Sequence, residues 1–470
     1  MASAYERLST QDSSFVMFEH RATHMHVAAM AVFEAGALAT EGGGLDVARI
    51  GKLVEARLHL LPRYRQRLRF TPLQGHPIWV DDGRFNLAYH LRHTSLPKPG
   101  DAGALKRLAG RILSQHLDRE KPLWEIWLVE GLEGDRFAMI AKVHHCMVDG
   151  VGGVSLLGLL LGTTPEARLE PPRSWLPRPM PSPLRLTFDE GLQRARLPAA
   201  VLRGLRTAVT QPSRALGAIL DAGHALGDAM VAGLHSAPTT PLNRPIGPHR
   251  QVDWRRLDLG EVKEVKSRLG GTVNDVVLAV VTGALRRFLL DWGVDVDGLD
   301  FRVIVPVNMR TGQVDLATAN RVSGLFVSLP LDEPDPRGRL ARIRGTTERL
   351  KRSRAAAGID LLTRFADLTG STLLTQAGVQ LASMVQPYNM IVTNVPGPQQ
   401  PLYMLGARML ELYPHLPLFE NQGLGVAAMS YHGKIGLGLV GDWDVVPHLP
   451  RFAEAIEISF EELQRAAARR

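Results

Sequence analysis

The chain has a single cysteine, Cys146, in 470 residues. That scarcity excludes an internal disulfide and any cysteine-based zinc cluster within one chain, and it fits a reducing cytosol. The first residues lack the cationic stretch and following apolar stretch of a cleaved export signal, and Asp12 interrupts them early. Export by that route is not expected. Long apolar runs are missing too. A membrane span needs about 20 nearly uncharged apolar residues. Val151 to Gly162 is short and glycine-broken, and Val273 to Leu290 contains Asn274, Asp275, Arg286 and Arg287. A protein of this kind meets a membrane only at its surface. Zinc-finger spacing, a basic region followed by heptads and an RNP-like aromatic motif are all absent, which argues against nucleic acid. The net charge of +8 then suits another phosphate-bearing partner, an anionic lipid or a nucleotide cofactor, between which charge alone does not choose.

What is present is the composition of a globular protein, 45% hydrophobic and 22% charged. Single cores stop growing before about 300 residues, so the length predicts two lobes. Apolar periodicity predicts helices over Leu45–Leu61, Ala104–Leu117, Val262–Leu269, Val273–Leu290, Gly338–Lys351 and Leu361–Met384, and a last one from about Leu449. Strands are predicted over Pro77–Asp82, Phe85–Leu91, Trp124–Val129, Phe137–Val143, Phe301–Val307, Leu325–Leu329, Met390–Asn394, Met409–Tyr413, Gly425–Tyr431 and Ile435–Val440. Strands and helices mix in both halves, so the class is α/β, with lobes at 1–162 and 251–470. Between them, 163–250 begins rich in proline and continues as leucines and valines interleaved with Arg194, Arg196, Arg203, Arg206 and Arg214. Such a basic amphipathic helix packs on its own protein or lies on a membrane surface.

The chemistry centres on His144 to Gly150, which follows directly on a predicted buried strand. A histidine fixed at a strand end can present its imidazole to a channel, and near neutral pH it can take a proton from an alcohol attacking a carbonyl. His145 is the candidate base. The plain alternative is a structural histidine pair. A metal site is not expected, because adjacent histidines point in different directions and no partner has ligand spacing. Asp149 is placed to shape the loop, and Gly150 with Gly152 and Gly153 allows a tight turn.

His144 to Gly150 reads HHxxxDG, the signature of the CoA-dependent acyltransferase superfamily. With Pro122-Leu123-Trp124-Glu125, Asn274-Asp275, Asn394-Val395-Pro396-Gly397-Pro398, Arg7-Leu8-Ser9 with Asp12 and Phe15, and Met25-His26-Val27, the chain resembles the bacterial wax ester synthase/acyl-CoA:diacylglycerol acyltransferase family over nearly its whole length. One departure is Ala319-Asn320-Arg321, where family members commonly carry a Gly-Asn pair.

The resemblance implies a two-lobe, chloramphenicol-acetyltransferase-like fold with a tunnel between the lobes. It also implies transfer of a fatty acyl group from acyl-CoA, a co-substrate rather than a resident cofactor, to diacylglycerol or a long-chain alcohol. His145 is then the general base, and His144 supports the loop or the acyl pocket. Asp149 is structural, with Arg310 as a candidate partner. Asn274 either steadies an oxyanion or caps its helix. Gly150 and Asp275 support the site, Pro122-Leu123-Trp124 packs, and Cys146 is inert. Peripheral contact with the inner membrane or a lipid droplet follows from water-insoluble substrates. The rivals are a condensation-type domain using carrier-protein thioesters and a non-catalytic lipid-binding relative.

Overall fold

The computed structural model describes residues 5–147, 158–166, 169–192, 236–308, 322–352 and 386–469. Asp149, Gly150, Arg310, Ala319 to Arg321, the predicted helix Leu361–Met384 and the arginines from Arg194 to Arg214 lie outside the described residues.

Two six-stranded sheets carry the two lobes. The first uses β2 (His26–Glu34), β5 (Leu91–Ser95), β6 (Trp124–Leu132) and β7 (Arg136–His144). β6 and β7 form a hairpin that turns through Gly134 and Asp135, both at positive φ. The second sheet uses β8 (Arg250–Asp258), β9 (Phe301–Asn308), β10 (Val322–Leu329), β11 (Met390–Val395), β14 (Leu424–Tyr431) and β15 (Lys434–Asp442). A three-stranded sheet of β1 (Tyr5–Arg7), β3 (Gln66–Phe70) and β4 (Pro77–Asp81) sits beside the first lobe. The helices are α1 (Thr10–Phe18), α2 (Val47–Arg57), α3 (Leu87–His90), α4 (Ala102–Leu113), α5 (183–192), α6 (Leu259–Leu269), α7 (Val273–Asp291), α8 (Pro336–Arg352) and α9 (Leu449–Ala468).

Two expectations change. The stretch Phe85–Leu91 is not a strand: the Asn86 side chain accepts from the Ala88 N–H and starts the short α3, and the strand begins only at Leu91. The 251–470 boundary also does not hold as a spatial division. Strands β12 (Tyr403–Met404) and β13 (Ala407–His415) leave the second lobe, and β13 pairs with β2, so the second half of the chain completes the first lobe's sheet. β13 packs face to face on β15 through two glycines. A Cβ on Gly436 or Gly438 would overlap the carbonyl oxygens of Leu412 and Pro414.

A second tie joins the lobes at α4. The backbone N–H of Arg250 donates to Ser114 Oγ at 2.8 Å, and the buried Arg250 guanidinium donates to Asp442 at 3.2 Å and to the carbonyl of Ala22. Removing either ion of so buried a pair leaves an uncompensated charge.

The proline-rich segment is not a free tether. Arg178 forms a two-pronged ion pair with Asp81, the Trp175 ring lies under the Arg65 guanidinium, and Leu186 of α5 buries against Ile78 and Val80. Among the described residues no helix is long and apolar enough to cross a membrane.

Candidate active site

Side chains alternate along β7. Phe137, Met139, Ala141 and Val143 enter the core that also holds Ile50, Leu53 and Val54 of α2. Ala138 and Ile140 face α4 instead, and by the same alternation so do Lys142 and His144. The fully buried Lys142 ammonium donates to the carbonyls of Ile112 and Gln115 at the end of α4, at 3.1 and 3.0 Å. His24 Nδ1 and His26 Nε2 reach the Leu113 carbonyl oxygen at 3.2 and 3.0 Å. That oxygen only accepts, so His26 presents its Nε2–H there, while His24, whose Nε2 also reaches the Arg21 carbonyl at 3.2 Å, donates to one of the two carbonyls when neutral. Burial, reinforced by nearby positive charge, holds His26 well below the usual histidine range and His24 down to about 4. Both are neutral supports of a helix C-terminus, not proton carriers.

His144 is the last residue of β7 and His145 the first of a 3-10 turn through Met147. The change of backbone sends the adjacent imidazoles different ways. His144 is 1% exposed, and its N–H donates to the Leu123 carbonyl at 2.9 Å. Pro122-Leu123-Trp124 thus does more than pack: Leu123 anchors the histidine backbone, while the buried Trp124 donates its indole N–H to Tyr64 O at 2.8 Å. His145 donates its backbone N–H to Met25 O at 2.7 Å, which gives Met25-His26-Val27 a physical purpose. The residue is partly buried, and its ring stacks on Phe15 with centroids 3.9 Å apart and an interplanar angle of 25°.

Phe15 comes from α1, whose start is encoded locally. Ser9 Oγ accepts the Asp12 N–H at 3.0 Å and donates to the Asp12 carboxylate at 2.8 Å, so Ser9 and Asp12 fix where the helix begins. One helical turn after Phe15 comes Glu19, whose side chain is 4% exposed. Its Oε2 accepts two hydrogen bonds from Arg119, at 2.9 and 2.7 Å, and its Oε1 lies 3.5 Å from His144 Nε2. Burial alone would raise the Glu19 carboxyl, but His144 and Arg119 together outweigh it and hold it down to about 2. Glu19 and Arg119 are site residues that pattern reading missed.

Cys146 is buried, and burial followed by the charges of Asp12 and Glu19 pushes its thiol well above the ordinary range. A thiol so raised keeps its proton and is a poor nucleophile.

In the second lobe Asn274 and Asp275 open α7 and separate in role. Thr272 is the N-cap, and Asp275 closes a capping box with it while also accepting from the Thr347 hydroxyl at 2.8 Å. Asp275 is therefore a structural support. Asn274 is not the cap, and among the described residues no hydrogen bond engages its amide, nor does one join it to His145. A surface cleft of 630 Å³ lined by Asp300, Ser328, Asp332, Arg342, Thr346 and Arg349 lies elsewhere on the second lobe. Its Asp332 and Arg342 pair with each other at 2.7 Å, and it shares no residue with the histidine site.

Residues 8–277 match the wax ester synthase/diacylglycerol acyltransferase catalytic domain, and residues 318–464 match the C-terminal domain of the same group. A putative diacylglycerol O-acyltransferase of Mycobacterium tuberculosis is 34% identical over 98% of this chain and 90% of its own length. The probable diacylglycerol O-acyltransferase tgs1 of the same organism is 31% identical over 98% of this chain and 96% of its own. Among solved structures, the wax ester synthase/diacylglycerol acyltransferase of Marinobacter aquaeolei VT8 superposes with a TM-score of 0.67 at 26% identity, covering 98% of this chain and 99% of that one. The first condensation domain of the calcium-dependent antibiotic synthetase shares the fold, at a TM-score of 0.59 and 15% identity over 100% of this chain and 97% of that one. With two lobes of mixed α/β structure and a paired histidine at the end of β7, the chain belongs to the wax ester synthase/diacylglycerol acyltransferase family and is an acyltransferase.

Proposed function

We propose that the protein transfers a fatty acyl group from acyl-CoA to the hydroxyl of diacylglycerol or a long-chain alcohol, with His145 as general base. The observation that carries this reading is the contrast at His144 and His145. One histidine is sealed inside the lobe with its backbone tied at Leu123, and its neighbour is a partly buried residue on a turn whose first N–H is tied at Met25.

The acceptor hydroxyl loses its proton to the His145 imidazole as its oxygen bonds to the thioester carbon. The carbon–sulfur bond then breaks, and the same imidazole returns the proton to the departing coenzyme A sulfur. The ester and free thiol balance the equation with no covalent acyl-enzyme and no metal. Acyl-CoA and acceptor enter a tunnel between the lobes from opposite sides. Asn274 donates its amide N–H to the developing oxyanion; its freedom from capping duty supports that role. Asp149 and Gly150 shape the loop after the histidines, with Arg310 as the partner of Asp149.

Water-insoluble substrates place the enzyme on a lipid surface, at the cytoplasmic face of the membrane or on a lipid droplet. An exposed apolar stripe supports this. Leu176 is 86% exposed, Leu184 83% and Phe188 66%, and Leu184, Phe188 and Leu192 share one face of α5.

The test is an acceptor panel. Purified protein is given labelled palmitoyl-CoA with dioleoylglycerol or hexadecanol, and free thiol and neutral lipid are measured. Equimolar thiol and ester are expected with at least one acceptor. Thiol release or ester formation only when a carrier-protein thioester replaces palmitoyl-CoA would assign the chain to condensation chemistry instead, and neither product with any donor would mean a binding protein.

A further inference from the structure

The buried carboxylate of Glu19 has no part in the transfer chemistry described above, yet it sits behind the histidine pair. We infer that Glu19 is a positioning residue: its carboxylate faces Nε2 of His144, favours the proton on that nitrogen, and so holds the turn that aims His145. This rests on the reading of His145 as the base.

The argument follows from who can donate to whom. His144 Nδ1 lies 3.2 Å from the backbone N–H of Cys146 and 2.9 Å from its Sγ. The backbone group can only donate, so Nδ1 is an acceptor and carries no hydrogen. A neutral imidazole then bears its proton on Nε2, the nitrogen 3.5 Å from Glu19 Oε1. That oxygen is shielded from solvent and no hydrogen bond closes on it; His144 Nε2 at 3.5 Å and His116 Nδ1 at 3.6 Å are the nitrogens that face it. The other oxygen, Oε2, is held by Arg119, which also donates to Val16 O at 3.1 Å and so ties the carboxylate to the end of α1.

The chain of contacts therefore runs from Arg119 through Glu19 and His144 to the Cys146 N–H, the middle of the turn that starts with His145. Were Nδ1 to carry the proton, it would confront the Cys146 N–H, donor against donor, and the turn would open. The same helix stacks Phe15 on His145, so α1 grips the turn twice. A histidine that works by geometry depends on the group that orients it, and loss of such a partner costs about 10- to 100-fold in activity.

Glu19→Gln is the informative change. The amide has one acceptor oxygen, so either Arg119 or His144 must face its NH2. Turnover should fall about 10- to 100-fold, with KM for palmitoyl-CoA within about twofold of wild type. In a His145→Ala background the same change should leave the residual rate unaltered, because there is no base left to aim. An equal loss in both backgrounds, or a full rate for Glu19→Gln, overturns the inference. If Glu19→Gln does not fold, the wild type still decides. In protein labelled with ¹⁵N-histidine, the His144 resonance, assigned by its loss in His144→Gln, should show the Nε2–H tautomer. A Nδ1–H tautomer overturns the inference. Failure of the base assignment would look different: His145→Ala alone would then turn over normally.

Discussion

At the scale of single residues, two adjacent histidines end in different surroundings because a strand stops between them. His144 keeps the alternation of β7 and is sealed beneath α1, whereas His145 begins a turn, is only partly buried as a residue, and stacks its ring on Phe15. Asn274 and Asp275 divide in a similar way, and substitution can separate them. Asp275→Ala removes one arm of the capping box and a buried acceptor for Thr347. It should destabilise the fold by about 1–3 kcal/mol, read as a lower denaturation midpoint. Asn274→Ala should leave that midpoint in place and lower turnover about 100-fold, the cost of a lost oxyanion donor. A stability loss at Asn274 with unchanged turnover would return it to a structural role.

At the scale of elements, local pattern and tertiary placement part company. The apolar periodicity of β6, β7, β11, β14, β15, α6, α7 and α9 was readable because each buries a stripe or face that its own sequence encodes. The strand at Met409–Tyr413 was equally readable, but its pairing with β2 was not, since partner choice depends on contacts across the whole chain. Phe85, Leu87, Tyr89 and Leu91 alternate like a strand, yet Asn86 turns the backbone into α3. His145 was legible from its motif, and the Ser9–Asp12 spacing marks a helix start. Nothing local marks Glu19, whose meaning comes from a β7 histidine folded against it. Two outcomes belong here. Gly438→Ala drives a Cβ into the Pro414 carbonyl and should cost about 1–3 kcal/mol in denaturant titration. Replacing Leu184 and Phe188 together by Ser should sharply reduce flotation with phosphatidylglycerol-containing vesicles; unchanged flotation would place lipid contact elsewhere.

For the whole molecule, the lobes are bound by strand exchange, by the glycine contact of β15 with β13, and by Arg250 reaching across to α4. Beside the last two of these contacts lies a source of pH sensitivity, with His415 at the β13–β15 glycine contact and His24 near Arg250. Burial holds His24 and His415 down to about 4, against 6.5 for an ordinary histidine. Between those values the unfolded chain binds protons that the folded one does not, so stability falls as pH drops from 6.5 towards 4. Thermal unfolding should show a lower midpoint at pH 5 than at pH 7, reflecting a stability lower by on the order of 1 kcal/mol or more per histidine. His415→Asn, where the replacement folds, should flatten that slope, and an unchanged slope would assign the sensitivity to other groups.

The most direct measurement is the rate of coenzyme A thiol release from palmitoyl-CoA with the best acceptor, compared between wild type and His145→Ala. Loss of a general base predicts a fall of about 100- to 10,000-fold with the fold intact. A near-normal rate for His145→Ala, together with a dead His144→Ala that still folds, would contradict the assignment of His145 as the base.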